Sequence, residues 1–221
     1  MKTAERILFT ALALFNQRGE SNVTSVEIAD ELDISPGNLY YHFKGKEVLV
    51  LALLDLYCRQ LDKILSSAKN TALTLPEFFS FLYLAQEQHF LFRFFHHNQV
   101  ELTSRYSGVT PKLQRMFDAL KQCVDAQLNQ YCAMNLLSVT EKDQAYVSDL
   151  IVALFYQPIQ VLPKLDEKAH EKKHIDAFLQ RVLFVLRPYL AKNDGGLEEL
   201  VQFVQGSEQE SDLHLSKTTI A

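Results

Sequence analysis

The 221-residue sequence is poor in the residues and segments that build disulfide-rich, strand-rich and membrane-spanning proteins. It has 3 Cys, no Trp, 7 Gly and 6 Pro. Because Cys58, Cys123 and Cys132 are odd in number and have neither zinc nor redox spacing, we expect reduced structural thiols. No apolar run reaches the roughly 18 residues of a membrane helix, and the N-terminus lacks the pattern of a signal peptide. We therefore expect a cytoplasmic protein with no membrane association.

The sequence also lacks a surplus of basic residues. Its 22 Lys and Arg residues face 27 Asp and Glu residues, giving a net charge of −5. Residues 1–50 are also slightly acidic, with five bases against seven acids. Bulk electrostatics therefore does not predict a nucleic-acid partner, and only a local pattern can indicate one.

What the sequence has in abundance is helix-forming and apolar residues. Hydrophobic residues make up 48% of it, which predicts a substantial buried core. Leu, Ala, Gln, Lys and Glu dominate long stretches, and these residue types favour helices. We expect an all-α fold.

The first 50 residues predict three short helices. Residues 2–18 carry an apolar stripe that Gly19 ends, at a position where a glycine C-cap is expected. Thr24-x-x-Glu27 is a capping box and predicts the start of the second helix. Ser35-Pro36 supplies a capping hydroxyl and a first-turn proline for a third helix that ends near residue 43. A turn of about four residues between the second and third helices is helix-turn-helix geometry.

The rest of the sequence predicts longer helices. One begins at residues 44–47 and runs to about residue 68, and further helices lie within 77–105. Three more are expected over 110–134, 140–162 and 168–190. A short apolar segment, 197–204, follows. Residues 206–221 are polar, and we expect them to be disordered.

The helix-turn-helix segment resembles the DNA-binding signature of the TetR family of bacterial transcription regulators. The matching residues are Val26, Ile28, Ala29, Leu32, Ile34, Ser35, Gly37, Asn38, Leu39, Tyr40, Tyr41, His42, Phe43, Lys46, Glu47 and Leu49. Asp33 departs from the family pattern, which has glycine in the turn. Asp tolerates left-handed backbone better than most residues, so we expect the turn to persist.

The resemblance implies an architecture and a function. The architecture is a three-helix DNA-binding head in residues 1–47, a helical ligand-binding and dimerisation domain in 48–205, and the tail in 206–221. The function is that of a repressor whose homodimer binds a palindromic operator in double-stranded DNA and leaves it on binding a small lipophilic ligand, such as one with an acyl chain. The alternative is a DNA-bound scaffold that recruits a protein partner without a ligand.

The resemblance and the residue types together indicate the DNA-contacting residues. The third helix reads bases, and an Asn38 amide can pair with adenine. By resemblance Lys46 binds a backbone phosphate, and Thr24 with Ser25 can hold another. In the alternative reading, Thr24 only caps its helix and the tyrosines only pack. The predicted DNA contacts are Thr24, Ser25, Ser35, Gly37, Asn38, Tyr40, Tyr41, His42 and Lys46.

Seven of the 15 phenylalanines lie between residues 78 and 95. Such density predicts a segment buried nearly all round, either as ordinary core or as the wall of an apolar cavity. The candidate pocket residues are Phe78, Phe81, His89, Phe92, Arg93, Phe95 and Met116.

The sequence shows no enzyme motif. It has no Gly-rich phosphate loop, nucleophile elbow or zincin motif. His170 and His174 have the i, i+4 spacing of a metal pair, but without a third ligand we expect them to be exposed. We therefore predict no catalytic residues, no metal site and no cofactor.

Overall fold

The computed structural model describes residues 2–68, 72–157 and 167–191. Every regular element in these ranges is a helix. The α-helices are α1 (Thr3–Arg18), α2 (Ser25–Glu31), α3 (Pro36–His42), α4 (Lys46–Ala68), α5 (Leu75–Leu91), α6 (Phe94–His97), α7 (Gln99–Arg105), α8 (Val109–Ala133), α9 (Glu141–Phe155) and α10 (Glu167–Leu186). Short 3₁₀ turns lie at Glu20–Asn22 and Arg187–Tyr189. Among the described helices, none has the length and apolar character needed to cross a membrane.

The predicted helix signals of the first 50 residues are confirmed. The Gly19 N–H donates to the Phe15 carbonyl at 2.9 Å, with Gly19 at φ 81°. The Thr24 hydroxyl oxygen accepts from the Glu27 N–H at 3.2 Å, and the Glu27 carboxylate accepts from the Thr24 N–H at 2.8 Å. Ser35 Oγ accepts from the Asn38 N–H at 3.1 Å. These side chains satisfy N–H groups that the first turn of each helix leaves without a partner.

The turn between α2 and α3 adopts left-handed backbone at Asp33. Its φ is 53°, a conformation that Asp enters more readily than most residues. The Ile34 N–H donates to the Ala29 carbonyl at 3.0 Å and closes the turn. The departure from glycine at this position is therefore accommodated, as expected.

The described residues form two compact units. The first comprises Met1–Leu61 and Leu91–Met116, and the second Asp62–Phe90 and Phe117–Ala221. Helix α4 is continuous and contributes residues to both.

An aromatic cluster forms the core of the first unit. The ring of Tyr57 stacks on Phe92 with centroids 5.0 Å apart, and on Phe95 at 6.5 Å. Phe94 packs against Phe15 of α1 at 5.3 Å. The four phenylalanines and Tyr57 are each 0–1% exposed, so α1 and α4 share one buried core with the segment around α6.

The second unit has its own core of aromatic rings and buried amides. The ring centroids of Phe78 and Tyr131 lie 6.0 Å apart, and those of Phe155 and Phe178 lie 5.9 Å apart. The amide of Gln127 donates to the Ala68 carbonyl at 2.9 Å and accepts from the Leu73 N–H at 3.2 Å. Because Gln127 is fully buried, these bonds compensate for its desolvation.

The helices predicted within 77–105 are α5, which begins at Leu75, followed by α6 and α7. Asn16 stabilises the break between α5 and α6: its Nδ2 donates to the Leu91 carbonyl at 2.9 Å, and its Oδ1 accepts from the Phe94 N–H at 3.1 Å. These backbone groups are thus paired although the helix is interrupted. The predicted segment 197–204, the tail 206–221 and part of the helix predicted over 140–162 lie outside the described residues.

Candidate nucleic-acid interface

Helix α3 presents one buried face and one exposed face. Leu39 is 2% exposed, and Phe43, which caps the helix, is 8% exposed. In contrast, Tyr40 and Tyr41 are 61% and 81% exposed. The reading in which both tyrosines only pack therefore does not describe this structure, since their rings face solvent. The remaining exposed residues of the helix and its cap are Ser35, Pro36, Gly37, Asn38 and His42.

The start of α3 is open to a close approach. A Cβ added at Gly37 would meet only Ser35 Oγ, at 3.9 Å. Asn38, the next residue, is exposed, and an Asn amide can donate to and accept from adenine. The hydroxyls of Tyr40 and Tyr41 and the ring nitrogens of His42 are groups that bind phosphate oxygens. The exposed face of α3 thus carries an amide that can pair with a base edge and groups that can bind phosphate, and their contacts with DNA stay predictions.

Thr24 is engaged in its capping box. Its Oγ1 donates to the Glu27 carboxylate at 2.8 Å, in addition to accepting the Glu27 N–H. Hydrogen bonds from the Thr24 N–H and then from the Thr24 hydroxyl lower the pKa of Glu27. The capping role of Thr24 is therefore confirmed. The phosphate roles of Thr24, which is exposed, and Ser25, which is half-buried, stay predictions.

Lys46 is held inside the first unit. Its ammonium lies 2.8 Å from Glu20 Oε1 and 6.0 Å from the centre of the Phe15 ring, and its side chain is 23% exposed. Sequence reasoning missed Glu20, whose side chain is only 2% exposed, because nothing in the sequence around it signals a buried carboxylate. Lys44, two residues away, is exposed to solvent, and sequence reasoning assigned it no role.

The predicted pocket residues are divided between the two units. Phe78, Phe81 and His89 belong to the second unit, and Phe92, Arg93, Phe95 and Met116 to the first. Each group has packing partners of its own: Phe78 stacks on Phe81 at 6.0 Å, and Met116 Sδ lies 3.2 Å from Cys58 Sγ. All seven except Arg93 are buried. Their role in ligand binding stays a prediction.

His170 and His174 are not exposed as expected. Both are half-buried, and their rings lie 5.4 Å and 6.1 Å from the ring of Phe90. The i, i+4 spacing thus places them against one aromatic ring of α5. In the described ranges, no group of three or more His, Cys, Asp or Glu residues is arranged to hold a metal ion. Cys58, Cys123 and Cys132 form no disulfide bond with one another.

Comparison with known proteins finds matches along most of the chain. Residues 7–53 match the family model described as bacterial regulatory proteins, tetR family. Residues 56–195 match the TetR model described as bacterial transcriptional repressor. Together the two matches cover the DNA-binding head and most of the helices that follow it.

Curated relatives match mainly in the head. The HTH-type transcriptional regulator QacR of Staphylococcus aureus is 43% identical over 56 residues, which are 25% of this chain and 30% of that protein. An uncharacterized HTH-type regulator of Bacillus subtilis, YerO, is 45% identical over 53 residues, or 24% of this chain and 18% of that protein. The match therefore spans less than a third of the length of either relative.

Solved structures share the fold of nearly the whole chain. A TetR-family regulator from Marinobacter aquaeolei VT8 superposes with a TM-score of 0.81 at 24% identity, covering 94% of this chain and 99% of that one. The ketosteroid regulator KstR2 of Mycobacterium tuberculosis superposes with a TM-score of 0.63 at 18% identity, covering 86% and 96%. At these identities the superpositions establish the fold alone.

Proposed function

Because the chain belongs to the TetR family of bacterial transcriptional regulators, we propose that it is a ligand-responsive repressor that binds operator DNA through α3. The exposed face of α3 carries this proposal. Asn38, Tyr40 and Tyr41 project from a helix whose other face is fixed by buried Leu39 and Phe43. A helix so anchored can enter the major groove without losing its orientation.

The chain is a regulator rather than an enzyme, since the matching family models and the related proteins describe regulators. Ser35, Gly37, Asn38, Tyr40, Tyr41 and His42 are the DNA contacts we propose. Asn38 specifies a base, while the tyrosines and His42 set the register on the backbone. A repressor acts on chromosomal DNA, so its place is the cytoplasm.

We propose that the active form is a homodimer formed through α9 and α10. Tyr146 and Leu150, at i and i+4 on α9, are 57% and 51% exposed, and Phe184 on α10 is 80% exposed. Tyr146 and Leu150 share one face of α9, and exposed apolar side chains of this size favour burial against a second copy. Two heads then reach successive major-groove turns about 34–36 Å apart, and a palindromic operator matches their twofold symmetry.

The proposed effector is a small lipophilic molecule, such as one with an acyl chain. The second unit supplies apolar surroundings in Phe78, Phe81 and Phe155, with His89 fully buried beside the last. Gln86 is also fully buried: its Nε2 donates to the Phe155 carbonyl at 2.9 Å, and its Oε1 has no hydrogen-bond partner among the described residues. This oxygen is an acceptor for a donor group on such a ligand.

A ligand releases DNA only through its differential affinity for two conformations, and a 100-fold effect requires about 2.7 kcal/mol of coupling. Helix α4 runs unbroken from Lys46, next to the head, to Ala68 in the second unit, so we assign it the coupling role. The alternative of a ligand-independent scaffold is not favoured by the family comparison.

A salt-controlled titration of the purified protein against the DNA upstream of its own gene tests DNA binding. We expect a dimer, or a pair of dimers, to bind this duplex at least about 1,000-fold more tightly than random DNA. Binding no tighter than to random DNA would contradict the repressor assignment at that site.

Effector release is tested on the same complex with palmitate and palmitoyl-coenzyme A, using acetyl-coenzyme A as the matched short-chain control. Release by the long-chain compounds alone supports an acyl-chain ligand. If neither releases DNA, the acyl-chain assignment is wrong, while the DNA-binding assignment stands.

A further inference from the structure

A surface groove of the first unit lies along α1 and is bordered by the end of α2. Its volume is about 370 Å³. The α1 residues that line it are spaced three or four apart along the helix and so share one face. From residue 6 to residue 17 this face extends about 16 Å along the helix axis. The lining includes Arg6, Phe9, Ala13 and Gln17 of α1, with Glu31 and Leu32 at the end of α2. We call this surface the α1 groove.

The α1 groove carries an aromatic ring that the head itself leaves half uncovered. Phe9 is 48% exposed, whereas Leu14 and Phe15 of the same helix are 5% and 1% exposed. Ala13, four residues after Phe9, is exposed and small, so it leaves room for a side chain from another molecule. The surface therefore has both a projecting ring and a space that can receive one. Covering the exposed part of the Phe9 ring would be favourable.

The two charged residues of the α1 groove lie at the unfavourable ends of their helices. Arg6 is the fourth residue of α1, near the end where the helix dipole opposes a cation. Glu31 is the last residue of α2, where the dipole opposes an anion, and the last turn of that helix has no basic residue. In the part of the chain that the structure describes, neither residue forms an ion pair. Each would therefore be stabilised by an opposite charge on another molecule.

We propose that the α1 groove is a contact between two copies of this chain, through which the heads of neighbouring dimers bind adjacent operator sites cooperatively. Phe9 of each copy enters the groove of the other, and Arg6 of each copy pairs with Glu31 of the other. One face that holds both the ring and its receiving space, and both charges of an ion pair, is self-complementary, as a contact across a twofold axis requires. This proposal rests on the proposed DNA-binding function.

We assign the contact to heads of different dimers, and only on DNA. The recognition helices of one bound dimer lie about 34–36 Å apart, which is about three helix diameters. A single helix face on each head is also too small for a stable interface, which buries roughly 1,200 Å² or more. We therefore expect no tetramer in solution. On DNA, neighbouring sites raise the local concentration of heads, so a weak contact becomes effective.

Binding to duplexes with two operator copies tests the proposal. Each duplex carries two copies of the palindrome that the wild-type protein selects from random duplexes, and their centres are moved apart one base pair at a time over a full helical turn. At the favoured spacing we expect the second dimer to bind about ten-fold more tightly than the first. Half a turn away this gain should disappear. Mobility-shift titrations resolve the two steps, and a duplex with a single palindrome gives the affinity of one dimer.

Variants of the α1 groove identify the contact. Phe9→Ala should abolish the gain and leave the single-site affinity unchanged. Val100→Ala, which truncates an 84% exposed side chain of α7, is the matched control and should change neither. Arg6→Glu and Glu31→Arg should each abolish the gain, because like charges would then face each other. The double variant that exchanges both charges should restore it, since the ion pair forms again in the opposite sense.

The possible results separate this contact from other causes of cooperativity. A gain that persists in Phe9→Ala and in both charge reversals would overturn the proposal and show that the dimers are coupled through the DNA. A wild-type protein with no gain at any spacing would also overturn it, leaving the α1 groove for a different protein partner while the repressor assignment stands. If the charge exchange does not restore the gain, the pairing of Arg6 with Glu31 is wrong. If the wild-type protein selects no palindrome, the proposed function fails together with this proposal.

Discussion

His96 Nε2 lies 3.3 Å from the hydroxyl oxygen of Tyr57, in the aromatic core of the first unit. The Tyr57 ring is also edge-on to the imidazole, with centroids 5.7 Å apart. Burial, with a smaller contribution from the neighbouring His97, lowers the pKa of His96 from 6.5 to about 3. A histidine in this setting is neutral in the folded protein.

The stability of the protein should fall as the pH falls from 6.5 towards 3. In this window the unfolded chain protonates His96 and the folded protein does not, so each pH unit costs up to about 1.4 kcal/mol of unfolding free energy. The contribution is fully present above pH 6.5. Denaturant unfolding at a series of pH values measures this contribution. In His96→Gln, the slope of unfolding free energy against pH should correspond to about one proton fewer than in the wild-type protein. If the wild-type protein and the variant had the same slope of unfolding free energy against pH, His96 would have the same pKa in the folded and unfolded states, which would contradict the prediction.

Two matched capping boxes separate helix stability from DNA binding. Thr24 caps α2 and Thr74 caps α5, and in both the Glu three residues later accepts from the Thr N–H at 2.8 Å. Hydrogen bonds from the threonines lower the pKa of Glu27 and of Glu77. Thr24→Ala and Thr74→Ala should each cost about 1 kcal/mol of unfolding free energy. Only Thr24→Ala should also weaken DNA binding, as a titration of the upstream duplex will show. Equal loss of DNA affinity in both variants would argue against a local role for the α2 cap.

Asn38 should control sequence preference rather than general affinity. Removing its amide in Asn38→Ala costs about 1–3 kcal/mol at the specific site and little on random DNA. Tyr41→Phe provides the control, since loss of a phosphate-binding hydroxyl should weaken both complexes alike. Competition titrations with specific and random duplexes measure both effects. The assignment of Asn38 fails if the ratio of the two affinities is unchanged.

Charges on the apolar face of α9 and α10 should dissociate the dimer. Leu150→Glu combined with Phe184→Glu should raise the dimer dissociation constant about thirty-fold or more, because each carboxylate would be buried at the interface. Val100, 84% exposed in α7 of the first unit, supplies the control Val100→Glu, which should leave the dimer intact. Sedimentation equilibrium measures the constant. A dimer that persists in the double variant would place the interface elsewhere.

The local signals of the sequence predicted the head well. Capping residues act within one turn of the chain, so Thr24, Ser35 and Gly19 indicated the boundaries that the structure has. The left-handed backbone at Asp33 agrees with the expectation that Asp can replace the glycine that the family has in this turn. The exposed face of α3 follows from the same periodicity that buries Leu39.

Contacts between distant residues could not be predicted in this way. The break after α5 is stabilised by Asn16, 75 residues from Leu91, and no local pattern at residues 77–105 encodes it. Glu20 is buried because Arg105 and Tyr106, 85 and 86 residues further along, meet it. For the same reason the density of phenylalanines indicated burial but not which rings would pack together.

Selection from a pool of random duplexes by the wild-type protein tests whether it is a dimeric, sequence-specific repressor. We expect enrichment of a palindrome whose half-sites lie about one helical turn, or a multiple of it, apart. For Asn38→Ala we expect a different consensus sequence, with changes confined to the bases that α3 reads. A selected pool no different from the input, or one without twofold symmetry, would contradict a dimeric sequence-specific repressor.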